Sequence, residues 1–141
     1  MNFYGEVAVA PTGVDWGTLT PGVDFGVSTK QSISSVVYIA NGNFDKKVKS
    51  AGTWTGGSNN ATLDATGVCS SAQQFALKAD DTATLGSAVL VDTAGVIIDN
   101  TGTQTTEAGV EVTTNNLWLK LASTFNSDTY SGVITYMTAN R

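Results

Sequence analysis

A chain of 141 residues with only 13 % charged side chains, half the ~25 % usual for soluble domains, has to take its surface from hydroxyls, amides and glycine. A net charge of -5 with seven basic residues excludes the basic stripe that nucleic acid requires, and no apolar run of about 18 residues is present to cross a membrane. The chain has no histidine, which removes His-based acid–base catalysis, His metal ligands and Ser-His-Asp triads together, so neither an enzyme nor a cofactor is expected.

Threonine supplies 21 residues and hydrophobic side chains 41 %, a β-branched, globular composition that favours strands. From the N-terminus, residues 3–10 alternate: Phe3, Val7 and Val9 share one face, Tyr4, Glu6 and Ala8 the other. Pro11, Thr12 and Gly13 end that strand. Residues 14–19 form the next, and Pro21-Gly22 fits the centre of a type II turn. Residues 33–40 make the best strand of the first half, and Asn41-Gly42 after it is a hairpin signal. Residues 44–49 alternate Phe44, Lys46 and Val48 with Asp45, Lys47 and Lys49, and this lysine content predicts an exposed or edge strand.

Residues 56–60 read as a loop and 61–65 as a short strand. Residues 73–79 read as a strand with Phe75, Leu77 and Ala79 inward, the alternative being a short helix from Ser70-Ser71. Residues 87–91 and 96–99 suggest a hairpin around Thr93-Ala94-Gly95, and 101–109 a polar, mobile loop. Residues 117–121 and 130–137 form the strongest predicted pair. The sum is about nine short strands in one domain over 1–141: an all-β, single antiparallel β-sandwich, Ig-like or jelly-roll-like.

Few residues invite chemistry. Cys69 is alone, without a His partner, and fits a small buried hydrophobe. Asp80, Asp81, Asp92 and Asp99 lie on connections that could converge on Ca²⁺, although the adjacent pair Asp80 and Asp81 points to opposite faces of any strand. Trp16, Trp54 and Trp118 with the tyrosines suit either a sugar-stacking platform or packing. Asn60-Ala61-Thr62 matches an N-glycosylation acceptor at Asn60. The first residues carry no basic region or apolar core of a signal peptide, so the chain is expected to be a mature form or one that never used that route. Residues 117–121 and 130–137 are apolar on both faces, which predicts cover on both sides and hence a partner subunit against Trp118, Lys120 and Tyr136.

Asp15-Trp16-Gly17-Thr18-Leu19-Thr20-Pro21-Gly22, followed by Val36-Val37-Tyr38-Ile39-Ala40-Asn41-Gly42-Asn43 and the closing Tyr130-Ser131-Gly132-Val133-Ile134-Thr135-Tyr136, resembles Ig-like modules of archaeal and bacterial surface proteins. Secreted fibre subunits of the TasA-like and archaeal bundling-pilus kind are similar. The resemblance covers the first third and last tenth of the chain. It implies an extracellular or cell-surface structural subunit whose partner is itself in a homopolymer. In filaments of that class one subunit often lends a strand to its neighbour, and residues 1–10 are then the donor, with Phe3, Gly5, Val7 and Val9 in the interface; the alternative is that this segment pairs within its own chain. The rival expectations are a carbohydrate-binding or adhesive module and a virion structural protein.

Overall fold

The computed structural model describes residues 3–10, 12–103 and 110–141. Among these residues the alternating segments form ten strands: β1 (Gly5–Ala10), β2 (Lys30–Ala40), β3 (Asn43–Ser50), β4 (Thr53–Thr55), β5 (Asn60–Leu63), β6 (Gln74–Asp80), β7 (Val89–Leu90), β8 (Val96–Thr103), β9 (Glu111–Leu121) and β10 (Ile134–Asn140). Two 3-10 turns, Val27–Thr29 and Leu85–Ser87, supply the helical content. The fold is an all-β sandwich. A seven-stranded sheet in the order β1-β2-β9-β6-β5-β4, with β7 added on β6, faces a three-stranded sheet in the order β10-β3-β8.

Alternation decides which side chains meet between the sheets. Val36 and Tyr38 of β2, Phe75 and Leu77 of β6 and Leu117 and Leu119 of β9 face Phe44 and Val48 of β3 and Tyr136 of β10 in one buried cluster. Ile33 and Val36 both reach this core because the β2–β9 register shifts between them, as a bulge does. Burial of each large apolar side chain is worth about 1.5–3 kcal/mol, against about 0–1 kcal/mol for an exposed pair such as Lys120–Asp24 at 3.7 Å. Core burial therefore dominates.

Strand partners depart from the sequence expectations in several places. Asn41-Gly42 makes no hairpin: β2 lies in the larger sheet and β3 in the smaller, so the pair turns a corner between layers. Tyr4 N–H donates to Asn41 Oδ1 at 2.8 Å and Asn41 N–H to Tyr4 O at 3.1 Å, tying the corner to the start of β1. β3 is the centre of its sheet rather than an edge, and Lys46 points inward with Phe44 and Val48. The expected hairpin over 87–99 is a crossing instead, since β7 pairs with β6 and β8 with β3. Asp92 Oδ1 caps that crossing by accepting from the N–H groups of Ala94 and Gly95.

The expected pairing of 117–121 with 130–137 is likewise absent. β9 lies between β2 and β6, and β10 lies beside β3. One short pair, β5 with β6, is parallel. Residues 14–19 form no strand and cross the molecule as a strap, while Gly22 has the positive φ of +81° that the predicted type II turn requires. Residues 101–103 complete β8, and 104–109 of the expected polar loop lie outside the described residues.

Candidate functional site

β1 closes one edge of the larger sheet and has its ladder with β2, in register from Gly5 opposite Ala40 to Ala10 opposite Ser35, while it also packs against β10. Its alternation is visible in the burial: Phe3, Val7 and Val9 are half-buried against the core, while Tyr4, Glu6, Ala8 and Ala10 are exposed. Gly5 comes up against β10, where a Cβ would stand 2.1 Å from Thr138 Oγ1. Of the residues expected at an interface, Gly5, Val7 and Val9 therefore sit together on one edge strand, with Phe3 just ahead of it.

From β1 the strap of residues 12–21 runs over the inner face of the larger sheet, because three strands are too few to cover seven. Val14, Trp16 and Leu19 anchor it to the core, Trp16 Nε1 donates to Thr29 O at 2.7 Å, and Gly22 N–H donates to Leu121 O at 3.1 Å. Among the described residues no strand is assigned between β1 and β2, so the strap has side-chain anchors in place of a ladder. Beneath it lies a cleft of about 1020 Å³ floored by Ile33, Phe75, Leu117, Leu119 and Leu121 and walled by residues 125–132.

That wall is pinned by Asp128. Its carboxylate accepts from the N–H groups of Ser58 at 2.8 Å, Thr129 at 2.8 Å, Asn59 at 2.9 Å and Gly57 at 3.1 Å, as well as from Asn59 Nδ2. These donors, Ser58 first, hold its carboxyl well below the ordinary carboxylate range. With the folded value below the unfolded one, the stability Asp128 contributes is present above the ordinary Asp value of about 4 and is lost as pH falls through the folded value. Urea midpoints followed down from about pH 5 should fall less steeply for Asp128→Asn than for the unaltered chain; parallel curves would mean that the carboxylate does not hold the turn.

The outer face of β9 is covered by the chain itself. Trp118, flanked in register by Lys30 and Lys78, is 2 % exposed, and the 3-10 turn Val27–Thr29 lies over β9. Lys120 donates to Gly67 O at 3.1 Å, and Phe25 sits 5.1 Å from Lys78 Nζ and 5.9 Å from Lys120 Nζ. Cys69, Ala76 and Ala122 form a small second core there with Phe25 and Phe125, and burial pushes the Cys69 thiol up. The two-sided apolar pattern of β9 thus reflects intrachain cover rather than an open seam for a partner at Trp118 and Lys120. Tyr136 likewise packs in the core and borders the cleft. The three tryptophans are buried or half-buried, with Trp54 Nε1 committed to Ser50 Oγ, so they form no exposed stacking platform. Asn60 is exposed at the start of β5.

The expected calcium residues separate. Asp80 lies on the face of β6 away from the main core, buried, and accepts from Thr82 Oγ1 and Ser87 Oγ, and Asp92 is used by its turn. Asp81 and Asp99 do converge, but on a lysine. Lys46 is 1 % exposed; its ammonium lies 3.0 Å from Asp99 Oδ2 and 3.7 Å from Asp81 Oδ2, and it donates to Glu111 Oε1. The Tyr38 ring centroid is 5.4 Å away. Burial alone would lower the Lys46 value, but hydrogen bonds to Glu111 and Asp99 outweigh it and hold the ammonium charged. Burial, then the neighbouring Asp99, pushes the Asp81 carboxyl up to about 6. Asp99 goes the other way: burial would raise it, yet Thr101, Lys46 and Asp81 together hold it well below the ordinary range. Among the described residues no group of three His, Cys, Asp or Glu is placed to hold a metal ion.

Sequence reasoning overlooked this cluster, although the signal was present: Lys46 occupies the apolar phase of β3, and a lysine there needs buried carboxylate partners. The chain matches no protein-family model, no curated protein and no solved structure.

Proposed function

We propose that the chain is a structural subunit of an extracellular filament or surface assembly, joined to copies of itself by exchange of β1. The observation that carries this reading is the attachment of the N-terminal segment. β1 has one ladder partner, β2, with side-chain packing against β10, the strap after it is anchored through Val14, Trp16 and Leu19, and apolar floor lies beneath the strap. A segment held in this way can pass to the same seat on a neighbouring copy without new chemistry, because the β2 ladder and the pockets for Phe3, Val7 and Val9 are identical there. The low charge of the surface favours close subunit packing in the same direction. The work so described is mechanical, and no bond of a substrate is made or broken.

Deletion of residues 1–10 tests it. The shortened chain should stay folded by circular dichroism while negative-stain images lose their filaments or lattices, and a peptide of residues 1–12 should bind it. Assembly that proceeds unchanged without those residues would rule out β1 exchange. Loss of the folded signal is resolved by Gly5→Val, which obstructs the approach to Thr138 and crowds the Phe3 ring, and should weaken assembly in a full-length chain.

A further inference from the structure

Three carboxyl groups crowd one ammonium at the seam between the two sheets. Lys46 and Asp99 belong to β3 and β8 of the smaller sheet, Glu111 opens β9 of the larger one, and Asp81 follows the end of β6. We propose that Asp81 and Asp99 share one proton in the folded chain, making the cluster a pH-sensitive clasp between the sheets, tightened in mild acid and loosened toward neutral pH. The inference goes beyond assembly and holds for a single chain in solution.

Charge and geometry both lead there. With every group ionised, one positive and three negative charges would surround a lysine that is 1 % exposed, leaving two negative charges uncompensated. Carboxylates sharing a partly buried site resist ionising together, and one proton relieves them. The neighbours select where it sits. Asp99 Oδ1 accepts from Thr101 N–H at 2.9 Å and Thr101 Oγ1 at 2.6 Å, and Asp99 Oδ2 lies 3.0 Å from Lys46 Nζ, so these partners favour its carboxylate. Glu111 bonds directly to Nζ and is the most exposed of the three, at 30 % of its side chain. Asp81 stands farthest from the ammonium, at 3.7 Å, is 17 % exposed at its side chain, and hydrogen-bonds to Asp99. Two carboxyl groups bond to each other only through a proton, and Asp81 is the one that donates it.

Among the described residues, two further titratable groups face the pair. Asp80, next in the chain, is bonded to Thr82 and Ser87, and Tyr38 of β2 stays a neutral phenol because burial pushes it up. Lys46 stays charged throughout. Burial and then Asp99 push Asp81 up to about 6, while Asp99 lies well below the ordinary range. Between about pH 6 and 4 the folded chain therefore keeps the shared proton that the unfolded chain, with ordinary Asp values near 4, has lost, and acidification stabilises the fold. Below about 4 the unfolded chain takes up two protons while the folded pair still holds one, so stability falls again. Above 6, Asp81 ionises and repels Asp99, which loosens the contact of β6 with β8.

Carbon-13 NMR of the carboxyl groups in the full-length chain tests the pair directly. Asp81 should titrate with a midpoint of about 6, and Asp99 should stay ionised to below the ordinary Asp range. Urea unfolding should show the folding equilibrium rising roughly 20-fold from about pH 7.5 to 4.5. Asp81→Asn sets a permanent N–H donor against Asp99 and should abolish that rise, leaving the variant more stable than the unaltered chain at about pH 7.5. If Asp81 serves only as an ion partner of Lys46, the variant is instead the less stable chain at that pH, and the proposal is overturned. An Asp81 carboxyl carbon that has finished titrating by about pH 4.5 overturns it too, without any variant having to fold.

Discussion

Lys46→Met is expected to lower folding stability by about 3–5 kcal/mol, the cost of leaving buried carboxylates without their cation. The substitution keeps the length and apolar stem of the side chain, so little packing changes. What it removes is the charge that Asp99, Glu111 and Asp81 surround. Lys47→Met, one residue on and facing outward, is the control, and a surface change of that kind should stay within about 0.5 kcal/mol. Neutralising the acids in the Lys46→Met background, with Asp99→Asn and Glu111→Gln, should recover part of the loss, because the penalty lies in the uncompensated charge. Urea unfolding at neutral pH measures all three. Equal stability of the Lys46→Met and Lys47→Met chains would contradict the buried cluster.

Trp54→Ala should be of similar size, about 3–5 kcal/mol, for a different reason. Trp54 belongs to a strand of three residues, yet its ring lies 4.3 Å from Phe75 and 6.2 Å from Trp16, and its Nε1 donates to Ser50 Oγ at 3.1 Å. Gly132 makes room for it, since a Cβ there would stand 2.0 Å from Trp54 Cδ1. Truncation enlarges a cleft that already measures about 1020 Å³ and removes the surface on which the strap rests its Trp16. The loss should lower the melting temperature by roughly 10–20 °C. Trp54→Phe retains a ring but loses the N–H, and should cost less than Trp54→Ala. A melting temperature unchanged in Trp54→Ala would mean that the ring is not packed between Phe75 and Trp16.

The pattern of individual strands was legible from the residues, and the pattern of partners was not. Alternation placed Phe75, Leu77 and Ala79 inward, set Asp80 and Asp81 on opposite faces, and marked Pro21-Gly22 as a type II turn. These are local consequences of a two-residue repeat and of glycine's access to positive φ. Which strand lies beside which depends on contacts between residues far apart, such as Lys30 beside Trp118. Asn41-Gly42 shows the limit of local signals: the same tight turn joins strands of one sheet or turns a corner between two. Trp118 was misplaced for a related reason. A two-sided apolar strand demands cover, but periodicity does not say whether a neighbour or the chain's own residues 24–29 provide it. For Lys46, its charge outweighed its phase in the reading of β3.

The Asn41-Gly42 corner has one more consequence. Tyr4 bonds to Asn41, and Arg141 N–H donates to Asn43 O, so the two ends of the described chain leave the sandwich side by side. A pull that separates them loads the β1–β2 pairs at Gly5 and the β10–β3 pairs at Asn140 first, and then each following pair in turn. Such loading opens a zip fastener one tooth at a time and meets little resistance. A thread of these units would hold far more tension if the load entered along a shared strand, in shear across all six β1–β2 pairs at once.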